Sequence, residues 1–61
     1  MDVSRLREQR LRRALSQEEL ARLSGLSRTT IIKLEAGRDA WPQTVRKLAR
    51  ALHVKPQDLQ A

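Results

Sequence analysis

The sequence predicts an all-α protein, a compact bundle of five short helices. Apolar residues recur at helical spacing along the chain. Ser16 and Ser27 stand where helix N-caps are expected, and Gly25 and Gly37 stand where helices are expected to end. Phe and Tyr, which favour strands, are absent. The 61 residues allow a single domain, residues 1–61, with a thin core, because a chain of this size buries only about 60% of its unfolded surface.

The first helix is predicted from about residue 4 to residue 13. Val3, Leu6 and Arg10, and less clearly Leu11, recur there at helical spacing with polar residues between them. Arg5, Arg12 and Arg13 form a basic side that is typical of a solvated face, and Arg10 or Arg13 could instead face a phosphate.

The second helix is predicted to begin after Ser16 and to end near Ser24. Ser16 and Glu19 have the spacing of a capping box, and Glu18 and Glu19 suit the positive end of the helix dipole. Gly25 suits the following turn because it tolerates a positive φ. The predicted inner face consists of Leu20, Ala21 and Leu23.

The third helix is predicted over residues 28–36, with Ser27 as its cap and Gly37 after its end. Ile31 and Leu34 fall on one face of this helix. Its β-branched run is a poor helix former, so packing against the second helix must stabilise it. The opposite stripe consists of Arg28, Thr29, Ile32, Lys33 and Ala36.

A loop over residues 38–42 is predicted to precede a fourth helix, which begins at about residue 43 or 44 and ends at Leu52. His53 and Val54 follow it, and Pro56 suits the first turn of a last short helix ending near Leu59. The predicted inward residues of the fourth helix are Val45, Leu48, Ala49 and Leu52.

The chain is strongly basic, with thirteen Lys and Arg against seven Asp and Glu, a formal net charge of +6. Ten of the thirteen cations are Arg, the residue better suited to forked contacts with phosphate and guanine. Such a charge attracts polyanions, although it also serves solubility alone. No apolar run approaches the roughly 20 residues of a membrane span, and the first residues lack the apolar core of a signal peptide, so we expect a cytoplasmic protein without membrane contact.

The residues give little support to catalysis, and we expect a protein that is not an enzyme. His53 is the single histidine and cysteine is absent, so neither a catalytic triad nor a metal site is indicated. Glu18 and Glu19 diverge on a helix because they are adjacent, and Gly25 and Gly37 are too isolated to form a phosphate loop. No cofactor and no small-molecule ligand are indicated.

Two short helices joined at Gly25 make a helix-turn-helix motif. Together with its neighbours this motif resembles the Cro/C1-type family (phage repressors, XRE) of helix-turn-helix regulators, over essentially the whole chain. The resemblance implies a lambda-repressor-like DNA-binding domain with the motif at helices 2 and 3. It rests on residues 15–21 (Leu-Ser-Gln-Glu-Glu-Leu-Ala), 25–27, 31 and 34–37, Pro42, 48–52, Val54, Asp58 and Leu59.

The resemblance implies that the third helix enters the major groove of double-stranded DNA. Arg28 would make a forked contact to guanine, Thr29 would touch a thymine methyl or a phosphate, and Lys33 would reach a base edge or a phosphate. Ile32 is either a contact to a thymine methyl or an ordinary exposed apolar residue. Base reading is therefore expected from Arg28, Thr29, Ile32 and Lys33, and phosphate contact from Gln17, Ser27, Arg38 and Arg13.

The resemblance also implies a half-buried ion pair between Arg10 and Glu35, which would tie the third helix to the first. The other possibility is that both are solvated. Trp41 would cover the core, join a self-association patch or pack on a sugar-phosphate chain, and core cover is the preferred interpretation. His53 departs from the family, which mostly has Gly there, so a left-handed cap at some energetic cost is expected.

Sequence-specific binding of double-stranded DNA by a repressor-like regulator is the function expected from this resemblance. A helix this short reads few base pairs, so we expect a weak homodimer, with two-fold symmetry on a palindromic operator. The pairing surface is expected at the start of the fourth helix, near Trp41, and at the last helix. The alternative is a protein-interaction module, such as an antitoxin or an anti-repressor, on the same fold.

Overall fold

The computed structural model describes residues 1–61 and contains four α-helices and one 3-10 helix, with no strand. They are α1 (Leu6–Arg12), α2 (Gln17–Ser24), α3 (Arg28–Glu35), α4 (Pro42–Leu52) and the 3-10 helix η1 (Pro56–Leu59). The predicted all-α class is confirmed, and the fifth predicted helix is the 3-10 segment. None of these helices has the length and apolar character that crossing a bilayer demands.

A single apolar core joins all five elements. α2 packs against α3 and α4, η1 packs against α4, and α1 contacts both α3 and η1. The four inward residues predicted for α4 are all buried. The core consists of Val3, Leu6, Leu20, Ala21, Ile31, Leu34, Ala40, Val45, Leu48, Ala49, Leu52 and Leu59.

Side-chain caps set the first turns of α2 and α3. The Ser16 hydroxyl accepts from the Glu19 backbone N–H at 3.0 Å, and the Glu19 carboxylate accepts from the Ser16 N–H at 2.8 Å. The bond from the Ser16 backbone N–H, and after it the Ser16 hydroxyl, lower the pKa of the Glu19 carboxyl. The Ser27 hydroxyl accepts from the Thr30 N–H at 3.1 Å. Both predicted caps are confirmed.

The predicted inner faces of α1 and α2 are partly wrong. Leu23 is 59% exposed and Leu11 is 54% exposed. On α2 the inward arc is completed by Ser24, which shares one side of the helix with Leu20 and Ala21 and leaves Leu23 outside it. On α1 only Leu6 and Arg10 are buried.

Two helix boundaries differ from the prediction in ways that the residue types explain. The prediction placed Pro42 in the loop, but Pro42 is the first residue of α4, where its fixed φ suits a helix and its missing N–H costs nothing. α1 begins two residues later than predicted, at Leu6, because residues 4 and 5 form a turn.

Two helices end with a residue other than glycine in the left-handed region. His53 after α4 has a φ of 55°, which confirms the predicted left-handed cap. Ala14 after α1 also has a φ of 55°, which nothing in the sequence indicated. The Ala14 N–H donates to Leu11 O at 2.9 Å, and the Leu15 N–H donates to Arg10 O at 3.2 Å, the two bonds of a Schellman motif. The Cβ atom of Ala14 makes this conformation costly.

Replacement of Ala14 by glycine is expected to stabilise the protein. The left-handed conformation costs an L-residue roughly 1–2 kcal/mol, and the greater freedom of glycine in the unfolded chain offsets part of the gain. We expect Ala14→Gly to raise the free energy of unfolding by about 1 kcal/mol, measured by denaturant titration.

The matched control is Ala36→Gly, because Ala36 closes α3 with a φ of −82° that any residue adopts. That substitution is expected to lower the free energy of unfolding by about 0.5–1 kcal/mol. A loss of stability in both variants would contradict the account of Ala14.

Candidate nucleic-acid interface

The outer face of α3 presents an uninterrupted stripe of side chains to solvent. Ile31 and Leu34 are buried against the core, which fixes the rotation of the helix about its axis. On the opposite side, residues 28, 29, 32 and 33 are all exposed, and 43% of the surface of Ile32 is accessible to solvent. The structure therefore brings together the four predicted base-reading residues, Arg28, Thr29, Ile32 and Lys33, on one outward face.

An ion pair holds the C-terminal end of α3 against α1. Arg10 Nε donates to Glu35 Oε2 at 2.6 Å, and Arg10 Nη2 donates to Glu35 Oε1 at 3.1 Å, so the contact is a two-pronged fork. Only 9% of the Arg10 side chain and 6% of the Glu35 side chain are exposed. The third prong, Nη1, donates to Leu15 O at 2.8 Å.

The electrostatic effect of this pair is visible at the arginine. The hydrogen bond to Glu35 raises the pKa of Arg10 above its ordinary value, the charge of Glu35 adds to the rise, and burial opposes it. The contact with Glu35 therefore favours the charged form of Arg10. Removing either partner would leave the other charge buried and without a counter-charge.

Gln17 extends the ion pair into α2. Its amide nitrogen Nε2 donates to Glu35 Oε1 at 3.2 Å. Glu35 is a residue of α3, and its carboxylate thus accepts hydrogen bonds from side chains of α1 and α2. An amide nitrogen has two N–H groups, so this bond leaves Gln17 one donor for a further acceptor.

An open polar groove lies beside this network, at the first turn of α2. Arg7 and Arg28 contribute the two exposed cations of its lining, and no apolar side chain lines it. Sequence reasoning missed Arg7, although its position three residues before Arg10 places both on one side of α1. The lining residues are Arg7, Arg10, Ser16, Gln17, Glu18 and Arg28.

A second groove beside α3 brings together Lys33, Arg38 and Trp41. The preferred interpretation of Trp41 as a cover for the core is wrong, since Trp41 is 76% exposed. Ala40 fills the core position instead, and its backbone exchanges two hydrogen bonds with Met1, at 2.7 and 2.8 Å. Trp41 is the next residue in an extended backbone, so its side chain projects to the other side, into solvent.

Two of the predicted phosphate-contacting residues are engaged elsewhere. The Ser27 hydroxyl caps α3 and also shares a hydrogen bond of 2.9 Å with the Thr30 hydroxyl. Arg13 Nη2 donates to His53 O at 3.4 Å, so its guanidinium lies at the junction between the ends of α1 and α4. The structure does not bring Arg13 together with the outer stripe of α3.

These features match those of a known family. A family model described as helix-turn-helix matches residues 6–59. The chain belongs to the Cro/C1-type helix-turn-helix family. Members of this family are DNA-binding regulators of transcription. The match confirms the resemblance inferred from the sequence.

A solved structure gives the same result for the fold. The chain is similar to the restriction-modification controller protein C.AhdI from Aeromonas hydrophila, with a TM-score of 0.87 and 46% sequence identity. The alignment covers 92% of this chain and 86% of that one. No curated protein matches the chain.

Truncation of the buried ion pair is expected to be costly. Glu35→Ala leaves the Arg10 charge without its partner and is expected to lower the free energy of unfolding by about 3 kcal/mol at neutral pH. The double variant Arg10→Met/Glu35→Leu fills the same space with apolar groups and is expected to recover most of that loss.

The exposed pair formed by Glu8 and Arg12, at 3.6 Å, supplies the control for this measurement. Glu8→Ala is expected to change the free energy of unfolding by no more than about 0.5 kcal/mol. Equal losses for Glu35→Ala and Glu8→Ala in denaturant titrations would show that the buried pair contributes no more than the exposed one.

Proposed function

We propose that this chain recognises a specific sequence of double-stranded DNA and regulates transcription, with α3 lying in the major groove. The observation that carries the proposal is the exposed stripe of Arg28, Thr29, Ile32 and Lys33 on a helix whose other side is buried. The major groove of B-DNA admits one α-helix, and it displays a different pattern of donors, acceptors and methyl groups for each base pair.

Each residue of the stripe has a contact suited to its chemistry. Arg28 donates a fork of two hydrogen bonds to O6 and N7 of a guanine. Ile32 packs on a thymine methyl, which removes from water an apolar side chain that the fold leaves exposed. Thr29 contacts a thymine methyl or a phosphate, and Lys33 contacts a base edge or a phosphate. The two cations favour DNA over a protein partner for this surface.

Phosphate contacts flank the stripe on two sides. The groove at the first turn of α2 offers the free N–H of Gln17, the guanidinium of Arg7 and the positive end of the helix dipole. The second groove adds Arg38. Ser27 stands at the first turn of α3, next to the stripe, although its hydroxyl already caps the helix. Contacts of this kind fix the register of α3, whereas the base contacts select the sequence.

We also propose that two copies bind together, since a helix of eight residues reads only a few base pairs. Trp41 and Met1 are exposed apolar side chains that line one shallow surface at the start of α4. A two-fold pair joined there would cover both and present two copies of α3 to half-sites about one helical turn, or about 34 Å, apart.

The similarity to a restriction-modification controller protein supports a finer proposal, namely that this chain controls the genes of a restriction-modification system. Identity of 46% over most of both chains is the support for it. We expect the DNA sites that this chain selects to lie upstream of such genes in the genome that encodes it. Sites that lie only upstream of unrelated genes would contradict this part of the proposal.

Random-site selection followed by sequencing tests the proposed function as a whole. A pool of duplexes with a randomised centre is expected to yield a palindrome with guanine at a fixed position in each half. Bound fractions that keep the composition of the starting pool at low and at moderate salt would overturn sequence-specific binding.

Arg28→Lys separates base reading from charge. Lysine keeps the positive charge but loses the fork, so the ratio of specific to nonspecific affinity is expected to fall roughly tenfold or more. Nonspecific affinity is expected to stay within about twofold of the original. Gel-shift titrations on the selected duplex and on a scrambled duplex give both affinities. The control is Arg12→Lys, a substitution in the exposed Glu8–Arg12 pair of α1. An equal fall on both duplexes would reduce Arg28 to a phosphate contact.

Trp41→Ser tests the pairing surface. Loss of the exposed indole is expected to shift the protein towards monomer in sedimentation and to weaken binding to the full palindrome more than binding to a single half-site. Leu11→Ser, which removes a similarly exposed apolar side chain from α1, is expected to change neither. Unchanged sedimentation of the Trp41 variant would place the contact between copies elsewhere.

A further inference from the structure

A third groove lies between α2 and the C-terminal end of α4, and no residue of α3 lines it. Its most prominent side chain is Leu23, the most exposed leucine of the chain. The lining residues are Leu23, Ser24, Lys47, Arg50, Ala51 and His53. The groove therefore combines two apolar residues, Leu23 and Ala51, with four polar or charged ones.

The charged side chains that line this groove have one sign. Lys47 and Arg50 are both exposed and line the groove, whereas no carboxylate does. Arg13 does not line the groove, but its guanidinium contacts the backbone oxygen of His53, which does. Glu19 lies four residues before Leu23 on the same side of α2. Its carboxylate accepts from the Ser16 backbone N–H at 2.8 Å, at the start of the helix, and it does not line the groove.

We propose that this groove binds an acidic segment of a partner protein. An apolar side chain of that segment packs on Leu23, and its Asp or Glu side chains pair with Lys47 and Arg50. Complementary charge of this kind selects a partner and speeds its association, and burial of Leu23 supplies affinity that ion pairs at a rim do not.

Two other occupants fit the groove less well. A DNA backbone would satisfy the cations but offers phosphate rather than an apolar group to cover Leu23. A second copy of this chain in a two-fold arrangement would place Lys47 and Arg50 against the same cations of its partner, and like charges so placed repel.

The position of the groove matters for its use. Because no α3 residue lines it, the acidic segment can bind while α3 lies in the DNA groove. Its small area is typical of weak and transient contacts between proteins rather than of permanent assemblies.

Peptide display tests the proposal. A random peptide library is selected against the wild-type chain, and an unrelated basic protein of similar size serves as the counter-selection. Enriched peptides are expected to carry Asp or Glu around one large apolar residue. Fluorescence anisotropy with the most enriched peptide, synthesised with a label, is expected to show at least a tenfold loss of affinity for Leu23→Ser and for the double variant Lys47→Glu/Arg50→Glu. Amide shifts in an NMR titration are expected at residues 23, 47, 50, 51 and 53.

The controls match these changes in exposure and charge. Leu11→Ser removes the other highly exposed leucine, and the double variant Lys55→Glu/Arg12→Glu reverses two exposed charges outside the groove. Both are expected to bind the peptide within about twofold of wild type, and circular dichroism checks that every variant is folded.

Several results would overturn the proposal. They are the absence of enrichment over the counter-selection, enrichment of neutral or basic peptides, and equal losses in the groove variants and the controls. A change in sedimentation for Leu23→Ser would assign the groove to a second copy. A tenfold loss of duplex affinity for that variant would assign it to DNA.

Discussion

The carboxylate of Glu35 is the point at which three helices of this small domain are joined. It belongs to α3, accepts a fork from Arg10 on α1 and accepts a third hydrogen bond from Gln17 on α2. The apolar core alone holds α1 weakly, because Leu6 is its one buried apolar side chain. A buried ion pair gains little net stability over apolar groups of the same size, but it fixes direction, since the fork accepts only one alignment of the two side chains.

That constraint fixes the position of the outer face of α3. Four β-branched residues in a row make α3 a poor helix in isolation, so its shape depends on contacts with the rest of the fold. Ile31 and Leu34 set its rotation, Ser27 sets its start, and Glu35 sets its end. The opposite side chains, Arg28, Thr29, Ile32 and Lys33, face solvent as a stripe that carries two positive charges. For the base reading that we propose, a helix held in place before binding loses less conformational entropy on binding than a mobile one.

The parts of this structure that were predictable from sequence are those encoded by neighbouring residues. The caps at Ser16 and Ser27 predicted the starts of α2 and α3 because each cap hydroxyl and the backbone N–H that donates to it lie three residues apart. Ala14 was missed because alanine carries no signal for a positive φ. The exposure of Trp41 was missed because it follows from hydrogen bonds between Ala40 and Met1, at the far end of the chain. Candidate stripe residues follow from helical periodicity, but the contact of Gln17 with Glu35 depends on how the helices pack.

The most direct test is an NMR titration of the labelled protein with its selected duplex, in which amide and side-chain signals are followed. It asks whether α3 binds DNA while the ion pair between Glu35 and Arg10 holds it in place. The largest shifts are expected on residues 28–33 and on the first turn of α2. The Nε–H signal of Arg10 is expected to persist unchanged in the complex, because the ion pair with Glu35 stays formed. Shifts centred on α4 with α3 unaffected, or loss of the Arg10 signal on binding, would contradict these expectations.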